Sequence, residues 1–267
     1  MKNYSLLLLG ILLFGCTYDL STEKKPILDK RSEKSDLKEK GFIARNNEAH
    51  NKLAFQKKDV LSVDIELFFG GKLRMEANLL YHTRTGETKI VYNDSSELTF
   101  NGKNVYLSPA SIKKPSARFD IFTWSYFLAL PYKIDDKGTQ LSDFQNKDLN
   151  GKTFNVEKLA FGENIGDSPD DWYVLYQNKE TNLLHAASYI VTLNKTVEEG
   201  EKDPHAIVYS KYQKLDNISI AHRWDFYGWT EKEGLTDTLG YANLTNLHFI
   251  TNDEVSFEPK ADSKVID

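Results

Sequence analysis

Six side chains in the second half of the chain carry groups from which a metal or hydrolytic centre could be built. They are His185, His205 and His222, with Asp170, Asp171 and Asp203 near them in sequence. A zinc site needs three or four ligands converging at about 2 Å. The histidines stand twenty and seventeen residues apart on segments that read as strands, and no recognised metal spacing contains those intervals. They read as ordinary strand histidines, so neither a metal nor a cofactor is expected. Ser168 follows Asp167, but Pro169 and the Asp170-Asp171 pair mark a turn, and the G-x-S-x-G nucleophile elbow is absent. Asp135-Asp136 and Asp170-Asp171 are neighbours on polar loops, where adjacent carboxylates are solvated and do not face one substrate atom. Tyr173, Trp224, Phe226, Tyr227 and Trp229 could stack on a sugar or lipid, although strand aromatics more often fill a core or pair across strands. No residue is assigned a catalytic role, and the chain does not read as an enzyme.

One further side chain could carry chemistry, and it lies at the front. Cys16 is the sole cysteine in 267 residues. Before it, Lys2 supplies a small positive region, and Leu6 to Phe14 form a nine-residue apolar run, too short to span a membrane and suited to a secretory signal. The run ends in Leu13-Phe14-Gly15-Cys16, which resembles the lipobox of bacterial lipoproteins, with Phe14 where a smaller residue is usual. The resemblance implies cleavage before Cys16 and a diacylglycerol on its thiol. Acylation would also account for an unpaired thiol in a secreted chain. Residues 1–15 then read as a lipoprotein signal peptide. Residues 16–40, dense in Lys, Glu and Asp, read as the lipidated cysteine and a flexible charged tether.

The remaining chain must position any site that exists. Its 40% apolar and 27% charged content suit one sizeable core, and a net charge of -5 offers no basic surface for nucleic acid. The central stretch is Phe119 to Tyr132, FDIFTWSYFLALPY, set between Pro115 and Pro131. It reads as a helix ended by Pro131, with Asp120 in the first turn, where the helix dipole favours a negative charge. Phe119, Ile121, Phe122, Trp124, Tyr126, Phe127, Leu128 and Leu130 point all round the axis, so most sides need cover. Fourteen residues rise only about 21 Å, short of a bilayer's hydrocarbon core. An earlier helix is expected from about Asp36 to Phe55.

Strands supply the cover. Leu61, Val63, Ile65, Leu67 and Phe69 alternate with polar residues. After the Gly70-Gly71 turn, Leu73, Met75, Ala77, Leu79 and Tyr81 do the same. Further strands are expected at Glu87–Tyr92, Glu97–Phe100 and Lys103–Leu107, the last two joined by Asn101-Gly102. Beyond a polar connection, Lys133 to Asn150, come Lys152–Phe161, Trp172–Gln177, Leu183–Thr192, His205–Lys214, Ile218–Trp229 and Tyr241–Ile250. About eleven strands joined by short turns predict a mainly β (α+β) fold. It is a large curved antiparallel sheet forming an incomplete barrel around two or three helices. The single domain spans residues 41–250, and 251–267 read as a polar tail.

The order of elements resembles the LolA/LolB-like half-barrel. Three blocks resemble more specifically an uncharacterised family of Gram-negative, Bacteroidetes-type lipoproteins with that fold. The blocks are Phe119 to Lys133, Asp171 to Thr192, and Glu201 to Trp229, which contains Lys202-Asp203-Pro204-His205-Ala206 and Arg223-Trp224-Asp225-Phe226-Tyr227. The resemblance implies helices held against a concave sheet face around an apolar cavity, and relatives that carry acyl chains or bind lipids. It brings no catalytic motif. The expectation is therefore a monomeric lipoprotein anchored through Cys16 to the outer membrane. It would bind a lipid or acyl chain beside Phe119, Phe122, Trp124, Phe127 and Leu128. The competing reading is a non-enzymatic interaction module of an envelope assembly, marked by a filled interior and an exposed aromatic patch.

Overall fold

Alternating apolar side chains, punctuated by glycines, fold the first part of the chain into a meander. In the computed structural model, residues 41–143, 145–162, 165–193 and 195–266 are described. Cys16, the signal segment and the tether lie outside these residues. Helix α1, Phe42–His50, and a single turn α2, Lys52–Phe55, are separated by Asn51 at φ 55°. The expected first helix is therefore broken there, and its first residues fall outside the described chain. Five antiparallel strands follow: β1 Val60–Phe69, β2 Lys72–His82, β3 Thr88–Tyr92, β4 Glu97–Phe100 and β5 Val105–Ser108. Gly70 and Gly71 make the first hairpin turn at φ 55° and 74°, a region that glycine enters without a Cβ clash.

Helix α3, Ala117–Lys133, is the apolar segment, three residues longer than expected and with Pro131 inside it. The missing proline N–H leaves the Phe127 carbonyl four residues earlier without its helical donor. The Tyr209 hydroxyl takes that place, donating to the Phe127 oxygen at 3.0 Å. Pro131 thus continues the helix because a tyrosine from the sheet makes good the lost bond.

The second half returns to strands: β6 Thr139–Asp143, β7 Lys147–Leu149, β8 Lys152–Phe161, β9 Tyr173–Gln177, β10 Leu184–Tyr189, β11 His205–Leu215, β12 Ile218–Thr230 and β13 Gly234–Ile250. A short helix α4, Val197–Gly200, precedes β11, and β14, Lys264–Ile266, ends the fold. The sheet runs β14-β5-β4-β3-β2-β1-β13-β12-β11-β10-β9-β8-β6, with β7 paired to β8. Every described pairing is antiparallel, and β6 does not meet β14, so the barrel stays open. The two halves join where β1 pairs with β13, at Leu67 opposite Ala242 and Phe69 opposite Gly240. A Cβ on Gly240 would lie 2.1 Å from the Phe68 carbonyl oxygen, so only glycine allows that approach.

The fold class is the one expected, a mainly β open half-barrel around helices, with fourteen described strands in place of about eleven. Two of the additional strands, β6 and β7, occupy Lys133 to Asn150, which the sequence presents as a polar connection. They lie at the sheet's margin, where few apolar residues are needed and the period-two signal fades. The third is β14, so the last residues are no trailing tail. Phe257 is buried, Lys260 pairs with Glu97 at 2.8 Å, and Asp262 accepts from the Ser108 hydroxyl at 2.7 Å. The folded unit runs through Ile266.

The main core lies between the helices and one sheet face. Phe55 stacks on Tyr132 at 3.8 Å, locking α2 to α3. A smaller cluster around Phe154, Tyr176 and Trp229 covers the other face of β8 to β10. Strand β9 is consequently buried along its whole length, with Tyr173 and Leu175 on one face and Val174 and Tyr176 on the other.

Candidate functional site

The open sheet brings two distant sets of strands to face each other across α3, and they leave space between them. A cleft of about 560 Å³ is lined on one side by Tyr81, the β2–β3 turn and Phe100. On the other it is lined by Thr139, Phe161, Tyr173 and Tyr189. It follows α3 from Arg118 to Lys133, roughly 22 Å of helix at 1.5 Å per residue.

The five helix residues singled out from the sequence divide. Phe119, Phe122 and Phe127 line the cleft. Trp124 turns away from it and is 3% exposed, with Phe69 and Phe226 around its ring and its Nε1–H donating to Asp120 at 3.1 Å. Leu128 borders only a residual space of about 10 Å³ against Tyr132 and Trp224, which is solid packing. The aromatic set named as a stacking surface also separates. Tyr173 faces the cleft, Trp224 and Phe226 fill the main core, and Trp229 belongs to the smaller cluster.

Helix α3 carries a polar centre that its sequence did not advertise. Asp120 is 0% exposed. Its Oδ1 accepts from Arg74 Nη2 at 2.7 Å and from Trp124, and its Oδ2 accepts from the Ser116 hydroxyl at 2.8 Å and the Tyr92 hydroxyl at 3.4 Å. A buried carboxylate is tolerable when its lone pairs are filled in this way. The centre fixes the start of α3, and the cleft follows the helix from there.

The cleft's walls combine nine aromatic rings with seven charged side chains and several hydroxyl groups. Tyr126 packs against Tyr173 at 5.3 Å and Phe161 at 6.2 Å, and its shielded hydroxyl has no hydrogen-bond partner among the described residues. Burial pushes the Tyr126, Tyr173 and Tyr189 phenols up, so all three stay neutral. Burial also raises Asp171, against two bonds from Thr192 that favour its charged form. At Lys133 burial acts to lower the pKa, but Tyr81 and Asp136 outweigh it and the ammonium ends above its ordinary value. Arg118 pairs with Asp167 and lies over the Phe122 ring at 5.3 Å.

Among the described residues, the cleft lining contains no histidine or cysteine. Ser168 lines it beside an aspartate already committed to Arg118. His185 stacks on Phe154 at 4.7 Å, His205 meets Asp203 at 3.5 Å and His222 bonds the Leu244 backbone, so the three histidines do not converge. Among the described residues no group of three metal-ligating side chains comes together, and no helix is long and apolar enough to cross a membrane.

Comparison with solved structures identifies the fold. The chain is similar to a domain from Vibrio parahaemolyticus described as outer membrane lipoprotein-sorting. The TM-score is 0.50 at 13% identity, over 79% of this chain and 94% of that one. It is also similar to a LolA superfamily protein from Nitrosomonas europaea, with a TM-score of 0.49 at 10% identity over 79% and 99%. No protein-family model and no curated protein matches the sequence. The chain has a LolA-like fold, and at these identities the likeness bears on the fold alone.

Proposed function

We propose that this protein is a cell-envelope lipoprotein that binds or carries a hydrophobic ligand, a lipid or acyl chain, in the cleft beside α3. The observation that carries the reading is the cleft itself: about 560 Å³, with nine aromatic rings in its walls, running along an apolar helix. Its volume falls within the roughly 300–1,000 Å³ that holds a single small ligand. The scarcity of catalytic groups in its lining favours binding over reaction. Anchoring enters through the sequence, since residues 1–15 and Cys16 have the form of a lipoprotein signal and its acylated cysteine. Two or more acyl chains would make attachment lasting, with residues 16–40 holding the domain off the outer membrane as a monomer. The Vibrio domain's description as lipoprotein-sorting agrees with this reading.

The test is direct. Delipidated protein is expected to take up a fluorescent long-chain fatty acid with micromolar affinity or better. Phe122→Asp should weaken uptake at least about tenfold, because it places a charge against a desolvated chain. Leu53→Asp, at a site 74% exposed and outside the cleft lining, should leave it unchanged. Failure to bind across several lipid classes would contradict the reading. For the anchor, Cys16→Ser should release the protein from membranes and remove the acyl mass seen by mass spectrometry.

A further inference from the structure

The cleft carries more positive charge than its own ion pairs consume. Lys103, Arg118, Lys133 and Lys137 line it, against Asp136, Asp167 and Asp171. Arg118 is taken by Asp167. Lys133 donates to Asp136 at 2.5 Å, and the same carboxylate receives Lys52 at 3.1 Å. Asp171 accepts the backbone N–H and the hydroxyl of Thr192, at 2.8 and 2.7 Å, which ties both bonds to one oxygen. What is left is Lys103 and Lys137. Both are exposed, and neither makes an ion pair among the described residues. They arrive from different elements, Lys103 from the β4–β5 turn and Lys137 from the segment after α3, yet both border the same apolar space. The chain as a whole has a net charge of -5, so two uncommitted cations at this opening run against the general charge.

An opening of that kind complements a ligand with a greasy body and an anionic end. We infer that the cleft takes a single long-chain fatty acid, its chain along α3 and its carboxylate held at the lip by Lys103 and Lys137. A two-chain phospholipid would need more room than a cleft of about 560 Å³ provides. Lysine suits the lip because its ammonium is a compact charge on a flexible stem that follows a mobile head group. This inference rests on the binding reading above and adds the chemical class of the head.

The experiment compares sixteen-carbon probes with three heads on the full chain by displacement of a bound fluorescent fatty acid, each kept below its solubility or micelle limit: palmitate, hexadecanol and hexadecyltrimethylammonium. Palmitate is expected to bind about tenfold tighter than hexadecanol at low salt, with the cationic probe weakest. The advantage should shrink in 0.5 M salt, where the Debye length falls to about 4 Å and exposed charges are largely screened. Lys103→Glu with Lys137→Glu should abolish palmitate's advantage over hexadecanol. The control pair Lys179→Glu with Lys232→Glu, equally exposed but outside the cleft lining, should keep it. Equal affinity for palmitate and hexadecanol, or a preference for the cationic probe, would overturn the head-group inference while the cleft reading stands. Binding of none of the three would overturn both.

Discussion

Asp120, the acid in the first turn of α3, secures the start of that helix from inside the protein. The sequence assigns it to the first turn of an apolar helix, facing the dipole. In the fold it is sealed from water, and four side chains converge on it. Asp120→Ala strands the Trp124 N–H and Tyr92 hydroxyl and deprives Arg74 of its partner. Arg74 is part-exposed and can turn to water, so the expected loss is about 2–4 kcal/mol in urea denaturation. Tyr126 is the opposite case, since its hydroxyl is shielded without a partner among the described residues. Tyr126→Phe should therefore be neutral or stabilising by up to about 1 kcal/mol. A loss of stability would mean the hydroxyl has a bonding role.

His50 sets a pH dependence at the same scale. It is wholly buried, with Nε2 accepting from the Leu184 N–H at 3.0 Å and Nδ1 at 3.2 Å from the Ser219 carbonyl, an arrangement that suits the neutral ring. Burial lowers its pKa to about 4, against the Ser219 bond, which acts to raise it. An unfolded histidine titrates near 6.5, so between those values the unfolded chain binds the extra proton. Stability is then present above about pH 6.5 and is lost as pH falls, by about 2 kcal/mol between pH 7 and pH 5. His50→Gln should flatten that slope even if it lowers stability overall. An unchanged slope would assign the acid sensitivity elsewhere.

Among the elements, legibility followed burial. Strands β1, β2, β11 and β12 announce themselves because each carries a long run with one face committed to the core. Strands β6, β7 and β14 do not, because margins of a sheet need little apolar content, and TQLSD reads as loop in isolation. Pro131 reads as a stop because its remedy, the Tyr209 hydroxyl, lies 78 residues further along the chain and leaves no local trace. The C-terminal segment is a strap whose value is testable. Removing residues 252–267 discards the Lys260–Glu97 and Asp262–Ser108 bonds, the Lys264 bond to the Ile112 carbonyl and the burial of Phe257. It also leaves Glu97 buried with only Lys89 at 3.7 Å. A cost of about 3 kcal/mol or more is expected, with faster amide exchange in β5.

For the molecule as a whole, the curvature of the sheet creates what no stretch of sequence contains. Phe119, Phe122 and Phe127 were legible because an apolar helix demands walls. Phe161 and Tyr189 were not, and Tyr173 stood out only as one of five strand aromatics, because they come to share a cleft with Phe100 and Tyr81 only when the two sheet halves turn toward each other across α3. The same holds for Lys103 and Lys137. Trp124 and Leu128 looked equivalent to their neighbours on the helix, and only packing separates them from the cleft.

On this reading a hydrophobic guest lies against α3 between those two halves. The most direct measurement is photo-crosslinking with a diazirine-bearing fatty acid, followed by mass spectrometry of the modified peptides. Saturable labelling is predicted on peptides containing Phe119–Phe127 and Tyr173–Val191, competed away by unlabelled fatty acid. Labelling that is not saturable, or that falls only on surfaces away from α3 and β8–β10, would contradict it.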